Sequence, residues 1–128
     1  MNVGTVGKKV KTVIVGLGLL SLSSLALAGD FDDAYEAASA QEYEKAAKIW
    51  HSLAQKGNPD AQFNLAMIYH SGAAGMLDEK QAVKWYQKAA ANGHVKAQEY
   101  LAVGYREGWF GLDKDLSQAE FWETKLGL

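Results

Sequence analysis

The chain has 128 residues, a net charge of −2 at pH 7 and no cysteine. Its length allows a single domain, and a chain without cysteine has no disulfide and no lipid attached through a thiol. Beyond its first eleven residues it shows no cluster of lysine or arginine, which argues against binding to nucleic acid or to an anionic lipid surface.

The N-terminal segment is typical of a secretory signal peptide. Three lysines within residues 8–11 precede an uncharged apolar run, residues 13–28, that ends in the small-x-small pattern cleaved by signal peptidase. The run is shorter than the roughly 20 apolar residues that span a bilayer. We predict cleavage after Ala28 and a periplasmic or secreted protein without stable membrane insertion; an uncleaved membrane anchor is the alternative. Residues 29–128 would then carry 15 acidic and 10 basic side chains, a net charge of −5.

The remainder of the chain contains an internal repeat. Residues 58–93 form a full unit, residues 94–128 a diverged copy, and residues 31–57 a partial one. A period in the thirties is typical of repeat architectures. The matched pairs include Ala61/Ala97, Gln62/Gln98, Leu65/Leu101, Ala66/Ala102, Tyr69/Tyr105, Gly72/Gly108, Gly75/Gly111 and, after one inserted residue, Trp85/Trp122.

Each unit predicts two helices. Ala61, Leu65, Ile68 and Tyr69 share one helical face, and a second run from Ala82 to Ala90 has the same periodicity. We expect six helices, at about 31–39, 42–56, 59–71, 79–92, 95–107 and 116–126. Because one hairpin cannot bury its own apolar face, the hairpins should stack into an all-α, right-handed α/α solenoid of about three hairpins.

The full unit reads Ala61-x3-Leu65-Ala66-x2-Tyr69-x2-Gly72, then Gly75, Asp78-x3-Ala82-x2-Trp85-Tyr86-x-Lys88-Ala89-Ala90-x2-Gly93. This pattern resembles the Sel-one-like repeat (SLR) family, relatives of the tetratricopeptide repeat. The resemblance covers roughly residues 31–128 and implies adaptor or scaffold roles in assemblies of the bacterial envelope. Two features depart from the family pattern: both loops hold an extra residue between their glycines, and Glu123 replaces the preceding unit's Tyr86.

Catalytic chemistry is not indicated. His51, His70 and His94 are dispersed without a second ligand at metal spacing. No Ser-x-x-Lys acylation motif is present, and the cysteines of the family members associated with penicillin binding are missing. We therefore predict no catalytic, cofactor or metal site and a non-catalytic interaction module; a cell-wall-directed enzyme or peptidoglycan-binding factor is the alternative.

The resemblance places a partner-binding groove on the first helix of each hairpin, which lines the concave side. Phe63 and Met67 lie off the core stripe of Leu65 and Tyr69, so they either face a protein or peptide partner or pack against the short first hairpin. The predicted groove residues are Asp60, Phe63, Met67, His70, Lys96, Glu99, Val103 and Arg106.

A second candidate surface lies at the C-terminal end. Trp109 and Phe110 crowd the last loop, and Phe121 stands where earlier units have lysine. An exposed apolar end would serve docking or self-association, giving a homodimer. Alternatively, Trp109 and Phe110 fold back over the last helix and cap it.

Overall fold

The computed structural model describes residues 28–128, which form six α-helices and no strand. Residues 28–39 are helical and form α1. The later helices are α2 (Tyr43–Gln55), α3 (Pro59–Ser71), α4 (Glu79–Ala91), α5 (Val95–Glu107) and α6 (Leu116–Leu126), with a short 3₁₀ turn at Ala73–Gly75. The predicted all-α repeat fold is confirmed. Helices α2–α6 begin and end within one residue of the predicted positions, and α1 extends to residue 28.

The predicted signal peptide, residues 1–28, lies outside the described residues except for Ala28, and so does nearly all of its apolar run. Among the helices of residues 28–128, none is long and apolar enough to cross a membrane.

Local chemistry sets the helix ends. The side chains of Asn58, Asp78 and Asp115 cap α3, α4 and α6 by accepting backbone N–H bonds of 2.9–3.1 Å, which satisfies amides that a helix start leaves unpaired. Gly72 and Gly108 end α3 and α5 with a φ of +72°, a conformation that glycine adopts without steric cost. Both later units therefore share an aspartate cap on the second helix and a left-handed glycine at the end of the first helix.

Each helix packs against the next one in sequence, α2 on α3 through α5 on α6. First helices of hairpins (α1, α3, α5) thus alternate with second helices (α2, α4, α6). Fully buried alanines, among them Ala61 and Ala97, let the backbones approach closely, and the buried rings of Trp50, Trp85 and Tyr86 fill the space between helices. The same small-and-large alternation recurs in each unit, so the core is continuous.

Two buried glutamines link successive units. Gln62 Nε2 donates to the Ala54 carbonyl, and Gln98 Nε2 donates to the Ala90 carbonyl, each over 3.0 Å. Each amide therefore adds a side-chain bond to a carbonyl in the last turn of the preceding second helix, which also accepts a backbone N–H of the following turn. Within residues 28–128, no buried side-chain nitrogen or oxygen lacks a hydrogen-bond partner.

Candidate functional site: the first-helix face

The first helices α1, α3 and α5 form one side of the molecule, here called the first-helix face, which the family resemblance implies to be concave. Direct contacts join all three helices. Asn64 Nδ2 donates to the Tyr35 hydroxyl over 3.1 Å, linking α3 to α1. The rings of Phe63 and Tyr100 lie nearly parallel with centroids 5.7 Å apart, linking α3 to α5.

Phe63 lies at the centre of an aromatic cluster. Its ring stacks on His94 at 4.3 Å and 16°, and it also contacts Tyr86 at 5.7 Å. Phe63 is half-buried, and its ring contacts lie within its own unit and the following one. Met67, one turn further along α3, is 37% exposed. Of these two predicted groove residues, Phe63 therefore packs within the aromatic cluster, and Met67 is partly exposed to solvent.

His94 holds this cluster in place through three contacts. Its Nδ1 accepts the Ala97 N–H over 3.1 Å and so caps α5. Because Nδ1 accepts, the proton lies on Nε2, which is 3.4 Å from Oδ1 of Asp60. The ring plane is thereby fixed between α3 and α5, parallel to Phe63.

A buried hydroxyl supports the same face from below. Tyr86 on α4 is 1% exposed, and its hydroxyl lies 3.1 Å from both Nδ1 of His70 and Sδ of Met67. Burial raises the pKa of Tyr86 well above its usual range, with a smaller contribution from Tyr100. The hydroxyl therefore stays protonated and can donate to Met67 sulfur or His70 nitrogen, which orients both side chains on the face.

Phe110 belongs to the first-helix face, although the sequence groups it with the C-terminal end. Its backbone is left-handed (φ +58°), and its ring lies 5.0 Å from His70 and 5.2 Å from Tyr100. Gly104, at the register position of Ile68, leaves the space for this loop, since a Cβ there would lie 3.3 Å from the Phe110 ring.

The other two predicted C-terminal residues remain exposed. Trp109 contacts Phe110 at 6.2 Å and is 55% exposed. Phe121 is 50% exposed and contacts Trp122 and the Lys125 ammonium on its own helix. The predicted C-terminal surface therefore divides into the first-helix face on one side and the α6 surface on the other.

The first-helix face contains two shallow depressions. One lies between α1 and α3, and its lining includes Tyr35, Asn64, Met67 and Ser71. The other lies on α5 beside the last loop and is lined by Lys96, Glu99, Tyr100, Val103 and Phe110. Both have apolar floors and polar edges, as ligand sites commonly do.

Three charged residues of the predicted groove form ion pairs. Lys96 Nζ lies 4.0 Å from Oε2 of Glu99, and Arg106 forms an ion pair with Glu123 of α6.

Sequence reasoning missed Tyr35, Asn64 and Tyr100 as residues of the first-helix face. Tyr100 could have been found as an aromatic residue without an aromatic counterpart in the preceding unit, because Asn64 holds that register position. Within residues 28–128, no group of three or more His, Asp or Glu side chains could hold a metal ion.

The Sel1 repeat pattern matches residues 59–94 and 95–122 of this chain. The chain is 40% identical to the chitin synthase regulator SKT5 of Saccharomyces cerevisiae over 63 residues, which cover 49% of this chain and 9% of that protein. It is 32% identical to the ERAD-associated E3 ubiquitin-protein ligase component HRD3A of Arabidopsis thaliana over 62 residues, 48% of this chain and 9% of that protein.

Two solved structures resemble this fold. A Sel1 repeat protein from Oxalobacter formigenes superposes with a TM-score of 0.60 and 32% identity, covering 65% of this chain and 34% of that one. The protective antigen c5321 of uropathogenic Escherichia coli superposes with a TM-score of 0.59 and 36% identity, covering 66% of this chain and 18% of that one. The matched part of the chain thus spans from 9% to 34% of the length of these relatives. Two pattern matches that together cover half of the sequence show that the chain belongs to the Sel1 repeat family, whose repeats are protein–protein interaction modules.

Proposed function

We propose that this chain is an exported, non-catalytic adaptor of the bacterial envelope, whose first-helix face holds a segment of a partner protein. One observation carries the proposal: each first helix exposes a large apolar side chain on this face. Tyr35 is 49%, Met67 37% and Val103 41% exposed. Met67 and Val103 occupy equivalent register positions 36 residues apart. Apolar groups that recur in line along a surface are typical of an interaction site.

The side chains of this face favour tight binding because contacts within the protein already hold them in place. Phe63 is held by His94 and Tyr100, and Met67 by the Tyr86 hydroxyl. Ordering a mobile side chain costs about 0.5–1.5 kcal/mol on association, and a preformed face avoids that cost. The Sel1 repeat fold is typically a non-catalytic scaffold, and such a face suits capture better than chemistry.

Export is supported by the N-terminal sequence alone: three lysines, an uncharged apolar run and a small-x-small end at Ala28. Envelope fractionation followed by N-terminal sequencing tests it. A mature chain that begins at Gly29 supports export, and an intact N-terminus in the cytoplasmic fraction contradicts it.

A second proposed surface is the exposed side of α6, where Phe121 would pack against a second copy of the chain. Its half-exposed ring lies beside Trp122 on a helix whose outer side no other described helix covers. The proposal of a homodimer concerns this surface only and is independent of partner capture by the first-helix face.

The test of partner capture compares two double variants with a matched control. Phe63→Ser with Met67→Ser should abolish capture of the envelope partner in a pull-down read by mass spectrometry, while helicity by circular dichroism is retained. Met67→Ser with Val103→Ser removes two exposed apolar side chains, leaves the Phe63 ring in place and should act similarly. Leu77→Ser with Leu116→Ser, which removes exposed apolar groups that line neither depression, should bind as wild type. Unchanged capture in both test variants would remove this face as the binding site.

A further inference from the structure

Charge is unevenly divided between the two helix layers. The first helices α1, α3 and α5 contain seven acidic and two basic residues, a net charge of −5. The second helices α2, α4 and α6 contain four acidic and six basic residues, a net charge of +2. The negative charge of residues 28–128 therefore concentrates on the layer that exposes Tyr35, Met67 and Val103, and the opposite layer has the opposite sign.

Ion pairs strengthen this asymmetry. Both basic groups of the first helices face carboxylates, Lys96 with Glu99 and Arg106 with Glu123. Four carboxylates lie on α1 (Asp30, Asp32, Asp33 and Glu36) without a basic residue on that helix. Within the described part of the chain, no lysine or arginine forms an ion pair with them, or with Asp60 on α3, whose side chain is 62% exposed. An approaching partner therefore meets uncompensated negative charge.

Rings and carboxylates side by side are the groups that bind alkylammonium and guanidinium ions. A cation within about 6 Å of a ring centroid is attracted by the negative face of the ring, and its N–H groups form charge-assisted hydrogen bonds to carboxylates. Tyr35 lies on the acidic helix α1, and Tyr100 and Phe110 line a depression that also includes Glu99 and its ion-pair partner Lys96. We infer that the partner of the first-helix face is a protein segment in which lysine or arginine alternates with apolar residues; this rests on the proposed function and specifies its ligand.

The positive second-helix layer adds to this selectivity. Complementary charge accelerates encounter and fixes orientation, whereas like charge excludes wrong partners. A cationic segment is attracted to the first-helix face and repelled from the opposite one, so it docks on one side. An acidic segment would be repelled by the first-helix face and attracted to the second helices.

The test is selection of short random peptides displayed on phage against the purified protein, followed by fluorescence anisotropy of the enriched peptides. The enriched sequences should carry net positive charge together with apolar residues. Their affinity should fall about tenfold when Asp32→Lys and Glu99→Lys reverse two charges on the first helices. The matched control Glu44→Lys with Glu120→Lys makes the same change in net charge on the second helices and should alter affinity less than about threefold. Raising ionic strength should weaken binding to the wild type more than to the first-helix variant.

The outcomes separate this inference from the proposed function. Enriched peptides that are neutral or acidic, yet still require Met67 and Val103, would overturn the cationic partner and leave the binding face in place. Equal loss of affinity in both reversal pairs would also overturn it, because total charge rather than the first-helix layer would then govern binding. Absence of any enrichment that depends on Met67 and Val103 would contradict both.

Discussion

Arg106 and Glu123 form a two-bond ion pair between α5 and α6, with Nε–Oε1 and Nη2–Oε2 distances of 2.8 and 2.6 Å. In the preceding unit, the equivalent register positions are held by His70 and Tyr86, whose side chains lie 3.1 Å apart. Both members of the pair change together between the two units. The departure from the repeat at Glu123 is therefore compensated at Arg106, and each hairpin keeps a polar link between its two helices.

This ion pair predicts a pH-dependent contribution to stability. The hydrogen bond from Arg106 lowers the pKa of Glu123 below its usual range. A carboxylate whose pKa is lower in the folded protein adds stability above its unfolded pKa of about 4.3, and loses it as pH falls through the folded value. Glu123→Gln should therefore lower the urea midpoint at pH 7 and have a progressively smaller effect as pH falls into the acid range.

The control for this experiment is Glu120→Gln, an exposed carboxylate on the same helix that forms no side-chain ion pair among the described residues. It should leave the urea midpoint unchanged throughout this pH range. An equal effect of Glu123→Gln at neutral and acid pH would show that the pair does not titrate as proposed.

The Tyr86 hydroxyl should contribute measurably to folding. Tyr86→Phe keeps the ring but removes the group that contacts both His70 and Met67, and a buried hydrogen bond contributes about 0.5–1.5 kcal/mol. Tyr105→Phe is the matched control, since its hydroxyl accepts a bond from Gln87 at an exposed site. Chemical denaturation should show a loss in the first variant and little change in the second. Two equal losses would contradict a special role for the buried hydroxyl.

Substitution by glycine should change stability in opposite directions at Ala74 and Phe110, which lie in the loops that join the two helices of a hairpin. Ala74 and Phe110 occupy equivalent positions with φ of +53° and +58°, which costs a residue with a side chain about 1–2 kcal/mol. Ala74→Gly should raise the free energy of unfolding by roughly 0.5–1 kcal/mol, because the exposed methyl makes little contact. Phe110→Gly relieves the same strain but removes the ring from His70 and Tyr100, so it should destabilise. Stabilisation by both changes would show that the Phe110 ring contributes nothing to the face.

Self-association through α6 is tested by Phe121→Lys. Analytical ultracentrifugation of the wild type should show a species above monomer mass at high concentration, and the variant should sediment as a monomer. Trp109→Lys, which alters an exposed ring on the last loop, should leave the dimer intact. A wild type that stays monomeric throughout the concentration range would eliminate the α6 interface.

The helices could be predicted because their signals are local. Asn58 and Pro59 start α3, the spacing from Ala61 to Tyr69 defines its buried face, and Gly72 ends it. In α5 the buried face and the terminal glycine recur at an offset of 36 residues, whereas His94 replaces Asn58 as the cap and no proline follows it. Repetition thus supports each assignment twice, which explains why their ends agree so closely with the structure.

The composition of the first-helix face could be predicted only in part. Phe63 and Met67 are identified by register, but the direction of Phe110 depends on a left-handed backbone and on the space left by Gly104. Likewise, His94 follows a helix-stopping glycine, which indicates a cap but not its stacking on Phe63. These contacts join residues from different units, and no periodicity within one unit specifies them.

The most direct test of partner binding on the first-helix face is site-specific photo-crosslinking in intact cells. A benzoylphenylalanine at Val103, exposed on this face, is compared with one at Lys84, exposed on the second helices. We predict an adduct of defined mass from position 103 that disappears when Phe63→Ser and Met67→Ser are added, and none from position 84. An adduct from position 84 alone, or one from position 103 that persists in the double variant, would contradict it.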